Sequence, residues 1–285
     1  MHTKYQPVQD SPLFWLRDSL VSPYSVTDFQ GYTVNGGDYV TRLLFLGQHA
    51  RTNTPVNTDD IRTLLRAIAS SKQAWRDRIA VAQSLGVGID AVFCPEGYPA
   101  SYDEASKSLV TYVHGIESTN DWPNRVEFMN LFDVAVKIRE LRDGRSFRQS
   151  KGLNSANTQF ECALSRLTTD PWPGDLDGVL FVNGTPLALL EFKTHNLESP
   201  IENEHLGKYG AQDWRRIHVL RVFQKAMGDI PILFIVWGPN HQKIKIQKIE
   251  NLDRTIDCYC RKDGIDLANT LVMLAESRGE NGARS

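Results

Sequence analysis

The chain has 285 residues, of which 41% are hydrophobic and 23% charged, and its formal net charge is -2. Such a composition describes a soluble globular protein of one large domain or two ordinary ones rather than a disordered chain. Its overall charge speaks against a DNA-coating protein but says little about an enzyme. No apolar run approaches the roughly 20 residues of a spanning helix. The opening "MHTKYQPVQDSPLFW" lacks the basic-then-apolar plan of a signal peptide. The expected location is cytoplasmic, without membrane contact. Cys94, Cys162, Cys258 and Cys260 are too sparse for a disulfide scaffold, and the histidines form neither H-x-H nor H-E-x-x-H.

The first fifty residues mix turn signals (Pro7, Pro12, Pro23 and "NGGD" at 35–38) with one strand, Tyr39 to Leu46. Apolar spacing then predicts a long helix from Thr58 to Leu85, stopped by Gly86. Strands follow at Ile89 to Cys94 and Leu109 to Ile116. A helix is expected over Arg125 to Arg142, with Asn124 and Glu127 as its capping pair, and another over Ser155 to Leu167. Next comes "DLDGVLFVNGTPLALLEFKTH", residues 175–195, which reads as a hairpin of two buried strands around Asn183-Gly184. A helix over Ala211 to Met227, an apolar strand over Ile230 to Trp237, the alternating strand "KIKIQKI" and a short helix over Leu267 to Ala275 complete the order.

The hairpin carries charge where a buried strand should not. Asp177 opens its first strand, and Glu191 and Lys193, two residues apart, share a face at the end of the second. Phe192 points the other way, into the core. Two converging carboxylates repel one another, and a divalent cation that takes oxygen ligands resolves the conflict. Magnesium would also bind a substrate phosphate and lower the pKa of its water, while an ammonium beside it stabilises developing charge. Asp, Glu and Lys together are therefore a kit for phosphodiester hydrolysis.

Register stands against this convergence. A strict two-residue turn pairs Val182 with Thr185 and hence Asp177 with Leu190, which puts Asp177 and Glu191 on opposite faces. Convergence requires an odd loop or a bulge, for which Gly178 and Pro186 are the candidate places.

Asp177, a hairpin and then Glu191-x-Lys193 resemble the PD-(D/E)XK nuclease signature, with Leu176 in place of the proline. "FVNGTPLALLEFK" is most similar to the nuclease block of type I restriction R subunits. The close resemblance covers about twenty residues, and a looser order of helix, hairpin, helix and strand runs from about Ser155 to Ile249. It implies an α+β chain with a restriction-endonuclease-like αβββαβ core and Mg2+-dependent cleavage, with Mn2+ as substitute. Asp177 and Glu191 would be metal ligands and Lys193 the catalytic lysine, with Glu161 on the preceding helix as a further acidic ligand. A solvated helix glutamate is the equal alternative for Glu161. The chain departs from an R subunit in lacking a G-x-x-x-x-G-K-[ST] phosphate loop, and in lacking Gln-x-x-x-Tyr on the next helix, where Gln212 is followed by Arg216 and Gln224 by Gly228.

On that next helix Val219, Val222, Phe223 and Ala226 form the expected apolar stripe. His218, Arg221 and Lys225, with Arg215 at the edge, share another face that reads equally as solvated surface or as phosphate contact. Lys208 and Gln212 are further candidates for the site. The resulting expectation is an α+β region over residues 1–122, for recognition, dimerisation or regulation, before a nuclease domain over 123–285. Its substrate is nucleic acid, DNA rather than RNA, in restriction or anti-phage defence, with a homodimer or a partner protein of a defence system in view. The alternatives are a repair or recombination nuclease and a catalytically silent nucleic-acid-binding module of the same fold.

Overall fold

The computed structural model describes residues 4–5, 11–35, 39–49, 73–95, 97–99, 101–116, 126–142, 155–156, 158–170, 172–196, 199–206, 208, 214–239, 241–251 and 254–277. In chain order the elements are β1 (Lys4–Tyr5), α1 (Pro12–Ser19), β2 (Tyr24–Phe29), β3 (Gly31–Asn35), β4 (Tyr39–His49), α2 (Gln73–Leu85) and β5 (Ile89–Pro95). Then follow α3 (Tyr102–Ala105), β6 (Val110–Ile116), β7 (Val126–Met129), α4 (Leu131–Leu141), β8 (Ser155–Ala156) and α5 (Gln159–Leu167). The last third holds β9 (Leu176–Val182), β10 (Thr185–Thr194), α6 (Trp214–Ala226), β11 (Ile232–Trp237), β12 (Lys243–Asn251), β13 (Arg254–Arg261) and α7 (Gly264–Glu276). The protein is of mixed α/β class, with parallel and antiparallel pairs in both larger sheets.

Contacts divide the chain into two units, Met1–Gln9 with Phe29–Asp175, and Asp10–Asp28 with Leu176–Ser285. The division falls at residue 175 rather than at the expected 122, and the second unit is discontinuous. The first unit is discontinuous too: helix α1 and strand β2 lie between its two segments and belong to the second. The elements of the second unit therefore run α-β-β-β-α-β through β11, followed by β-β-α.

In the first unit five strands lie in the order β3-β4-β5-β6-β7, with β4 and β5 parallel. One face packs Leu44, Val92 and Tyr112 against Val134 and Ile138 of α4 and Phe160 and Leu164 of α5. At Phe45, Trp75 of α2 meets the ring edge-on at 5.0 Å and the Arg78 guanidinium lies 4.9 Å from its centre. The two ends of its Phe29–Asp175 segment are tied together. Trp172 Nε1 donates to Gln30 O at 2.7 Å, and Tyr32 N donates to Gly174 O at 3.1 Å. Gly31 permits that approach, since a Cβ there would stand 2.9 Å from the Trp172 ring nitrogen.

Two helix expectations change here. Residues 126–129 of the helix expected over Arg125 to Arg142 form β7, in which Glu127 pairs with Tyr112 and sits 3.3 Å from His114 Nε2. The helix starts at Leu131, six residues later, because Asn130 and Asp133 close a capping box there. The helix expected from Ser155 likewise begins at Gln159, capped by Thr158. Of the long helix from Thr58, only α2 falls among the described residues.

In the second unit six strands run in the order β13-β12-β11-β10-β9-β2. One face is covered by Leu16 of α1 and Leu267, Leu271 and Leu274 of α7, packed on Leu180, Leu190, Leu233, Ile235, Ile244 and Ile246. Leu233 is wholly buried on a central strand. Replacing it with alanine should cost about 3 kcal/mol of stability in chemical denaturation, since its neighbours cannot close the cavity. Asn130→Ala, which removes only a helix cap in the first unit, should cost about 1 kcal/mol. A reversed order of the two effects would contradict this account of the cores.

Candidate functional site

Asn183 and Gly184 adopt positive φ values of 50° and 76°, as a two-residue hairpin turn requires. Pairing starts in the expected register, Thr185 with Val182 and Pro186 with Phe181, but then jumps to Ala188 with Leu180. Leu187 is the extra residue of a bulge. Pro186 has no N–H for the ladder, so the interruption falls where the sequence cannot supply a bond. Beyond the bulge Leu190 lies opposite Gly178, so one step further Asp177 stands level with Glu191. The register conflict of a regular hairpin is thereby removed, and both carboxylates project from the same side of the sheet.

There the regular ladder ends. The Asp177 carboxylate accepts the Phe192 N–H at 2.7 Å through Oδ2, taking a place that backbone would otherwise fill. The same oxygen accepts from Arg216 Nη2 at 3.2 Å, and Arg216 Nε donates to Glu191 Oε1. One guanidinium thus spans both acids. Glu191 is almost fully buried, at 4% exposure, beside Phe234 of β11. Phe192 packs against the core on the opposite face, as its alternation demands.

Arg216 is not among the residues expected at the site, yet it spans both acids. Among the described side chains of α6 the buried ones are Leu220, Val222, Phe223 and Gln224, whereas Ala226 is exposed and Val219 half-buried. The helix is rotated from the expected Val219–Val222–Phe223–Ala226 stripe. Positions 216, 220, 223 and 224 share one side at helical spacing, so Arg216 extends the inward face toward the carboxylates. Gln224 at the other end donates to Ile230 O at 2.9 Å and holds that rotation. The backbone of Arg215 lies in α6, His218 and Arg221 are half-buried, and Lys225 is exposed.

Lys193 follows Glu191 on the same face and pairs with Val236 of β11. Two residues on, His195 begins a buried polar cluster. Its Nδ1 lies 3.2 Å from Glu204 Oε1, its Nε2 lies 2.9 Å from Ser199 O, and Lys208 Nζ donates to Glu204 Oε1 at 2.5 Å. Gly238 lets the strand ends close here, because a Cβ on it would stand 2.0 Å from His195 O. Burial works to raise the Glu204 carboxyl pKa, but the Lys208 hydrogen bond and the charges of Lys208, His195 and Lys193 outweigh it and hold it below the ordinary value. Lys208, expected as an extension of the site, is thus engaged with Glu204, and Gln212 lies outside the described residues.

Glu161 lies in the first unit. Its Oε2 accepts from Thr158 N at 2.8 Å and from Thr158 Oγ1 at 3.1 Å, closing the capping box of α5. The residue expected as a further metal ligand therefore serves a helix terminus, and the acidic pair of the second unit is Asp177 and Glu191. Among the described residues no three His, Cys, Asp or Glu side chains gather as a metal cluster. No helix there is long and apolar enough to cross a membrane.

No family model matches the chain, and no curated protein matches it. Among solved structures, the sex pheromone staph-cAM373 precursor aligns over 91% of this chain and 84% of its own at 8% identity, with a TM-score of 0.17. That likeness carries no argument about fold or function.

The lowered Glu204 pKa has a consequence for stability against pH. Its contribution is present above the unfolded glutamate pKa of about 4.3 and is lost as pH falls through the lower folded value. Glu204→Gln should therefore be less stable than wild type at neutral pH, with the gap closing below about pH 4. A gap that is constant between pH 7 and pH 3 would contradict the ion-pair account.

Proposed function

We propose that this protein is a metal-dependent nuclease that hydrolyses phosphodiester bonds, with DNA as substrate and restriction or anti-phage defence as its setting. The reading rests on one observation, the bulged hairpin that sets Asp177 and Glu191 on one side of the sheet with Lys193 following. The element order α-β-β-β-α-β of the second unit also supports it.

The residues fit a hard divalent cation. Magnesium is commonly held by one or two carboxylates and completes its shell with water and substrate phosphate, so the absence of a third acid among the described residues is no obstacle. That a guanidinium bridges the pair indicates that positive charge is accommodated between them. Asp177 and Glu191 would hold Mg2+, or Mn2+ in its place, which supplies Lewis acidity toward a phosphoryl oxygen and a more acidic water. Asp177 is oriented by the Phe192 N–H, and Glu191 by its buried strand, so neither carboxylate must be ordered at the moment of reaction. Lys193 would place its ammonium against the charge that builds on the phosphate. His218, Arg221 and Lys225, with Arg215, would contact the phosphate backbone without reading sequence.

A second reading draws on Arg216. A guanidinium lying across both acids is also what a catalytically silent nucleic-acid-binding module would have. A cleavage panel of duplex and single-stranded DNA and RNA, with Mg2+, Mn2+ or chelator, separates the two. Wild type should cut DNA only with metal, and Glu191→Gln and Lys193→Ala should each lose at least about 100-fold in rate. Undiminished cutting by both variants would end the mechanism, whereas tight binding without cutting by wild type would support the silent module.

A further inference from the structure

We propose that Arg216 holds the cation's place between Asp177 and Glu191 while the site is metal-free, and that metal binds only by displacing it. This inference rests on the metal-dependent reading given above and concerns how that same site is controlled.

The atoms that would ligate the metal are those that the guanidinium uses. Asp177 Oδ2 accepts from Arg216 Nη2 at 3.2 Å, and Glu191 Oε1 accepts from Arg216 Nε. A dication on these oxygens would lie within a few ångströms of the guanidinium, at a separation where two positive charges repel strongly in a partly buried setting. Arginine and metal are therefore alternatives. Without either, two acids at 17% and 5% side-chain exposure would face each other with one cationic group fewer, which is costly where water screens poorly.

The arginine is built to leave. Its side chain is 45% exposed, so the head can withdraw into water without opening the core that Leu220 and Phe223 form below it. It is the third residue of α6, a helix with no acid in its first turn. A positive charge there opposes the helix dipole, and the two carboxylates are what offset this cost. Once a dication neutralises those carboxylates, the dipole and the metal both drive Arg216 outward. The released guanidinium then stands at the rim of the site as a further cation toward an anionic substrate.

The test is calorimetric titration of Mn2+, and separately Mg2+, into full-length wild type, Arg216→Gln, Arg216→Lys and Asp177→Asn, with thermal melts in chelator and in metal. Arg216→Gln should bind Mn2+ about tenfold more tightly than wild type, a coupling of ordinary size for two ligands of one site. Arg216→Lys, which keeps the charge but loses the two-pronged bridge, should fall between them, and Asp177→Asn should bind weakest. In chelator Arg216→Gln should melt below wild type, and metal should raise its melting temperature by more. If Arg216→Gln binds Mn2+ equally or more weakly, the displacement inference is overturned while the metal reading stands. If neither wild type nor Arg216→Gln binds either cation, the metal reading fails and the inference fails with it.

Discussion

Between Pro186 and Ala188 the hairpin shifts by one residue, and every side chain beyond that point changes the strand position it faces. Without Leu187 as an extra residue, Asp177 would lie opposite Leu190 and face the core filled by α1 and α7. With it, Asp177 lies level with Glu191 and reaches the Phe192 N–H and Arg216. The rest of the site inherits this displacement. Glu191 and Lys193 owe their common face to strand alternation alone, but the second carboxylate reaches that side only through the bulge. Arg216 then supplies the compensation that the two acids demand, and the rotation of α6 places it there.

Much of the hairpin was legible because its signals are local. Asn183-Gly184 prefers positive φ whatever surrounds it, and two short apolar runs flanking it can scarcely be anything but strands. The need for an odd loop or a bulge was also legible, from the parity of the pairing. Its place was not, because Gly178 and Pro186 both tolerate irregular backbone. Proline decided it by lacking a donor, whereas the Gly178 backbone continues in register, where a Cβ would meet Leu190 only at ordinary contact distance.

Other elements were hidden for identifiable reasons. Pro12 was read as a turn residue, yet it starts α1, where a missing N–H costs nothing. Strand β13, "RTIDCYCR", is an edge strand on which Cys260 is buried while Ile256 and Tyr259 are exposed, so no clean alternation marks it. On α6 the expected apolar stripe is Val219–Val222–Phe223–Ala226, whereas the buried set is Leu220, Val222, Phe223 and Gln224. The buried set holds because Gln224 finds two backbone carbonyls, and that difference concealed Arg216. The second unit's division across the chain was invisible for a different reason, since pairing between β2 and β9 is a long-range fact that no local pattern records.

That division also bears on how the sheet closes. Strand β2 emerges in synthesis before the long segment of the first unit, Phe29–Asp175, and its neighbour β9 emerges after it. Joining two strands across so long an unstructured chain would carry a large loop-closure entropy. Once the first unit has folded, however, the Trp172–Gln30 and Gly174–Tyr32 hydrogen bonds hold the two ends of that segment side by side. The first unit then acts as a clasp: to the sheet that bears the acidic pair, it is equivalent to a short connection between adjacent strands. Damage confined to the clasp, which contributes neither Asp177 nor Glu191, would be felt as slow or failed assembly of the sheet that carries them.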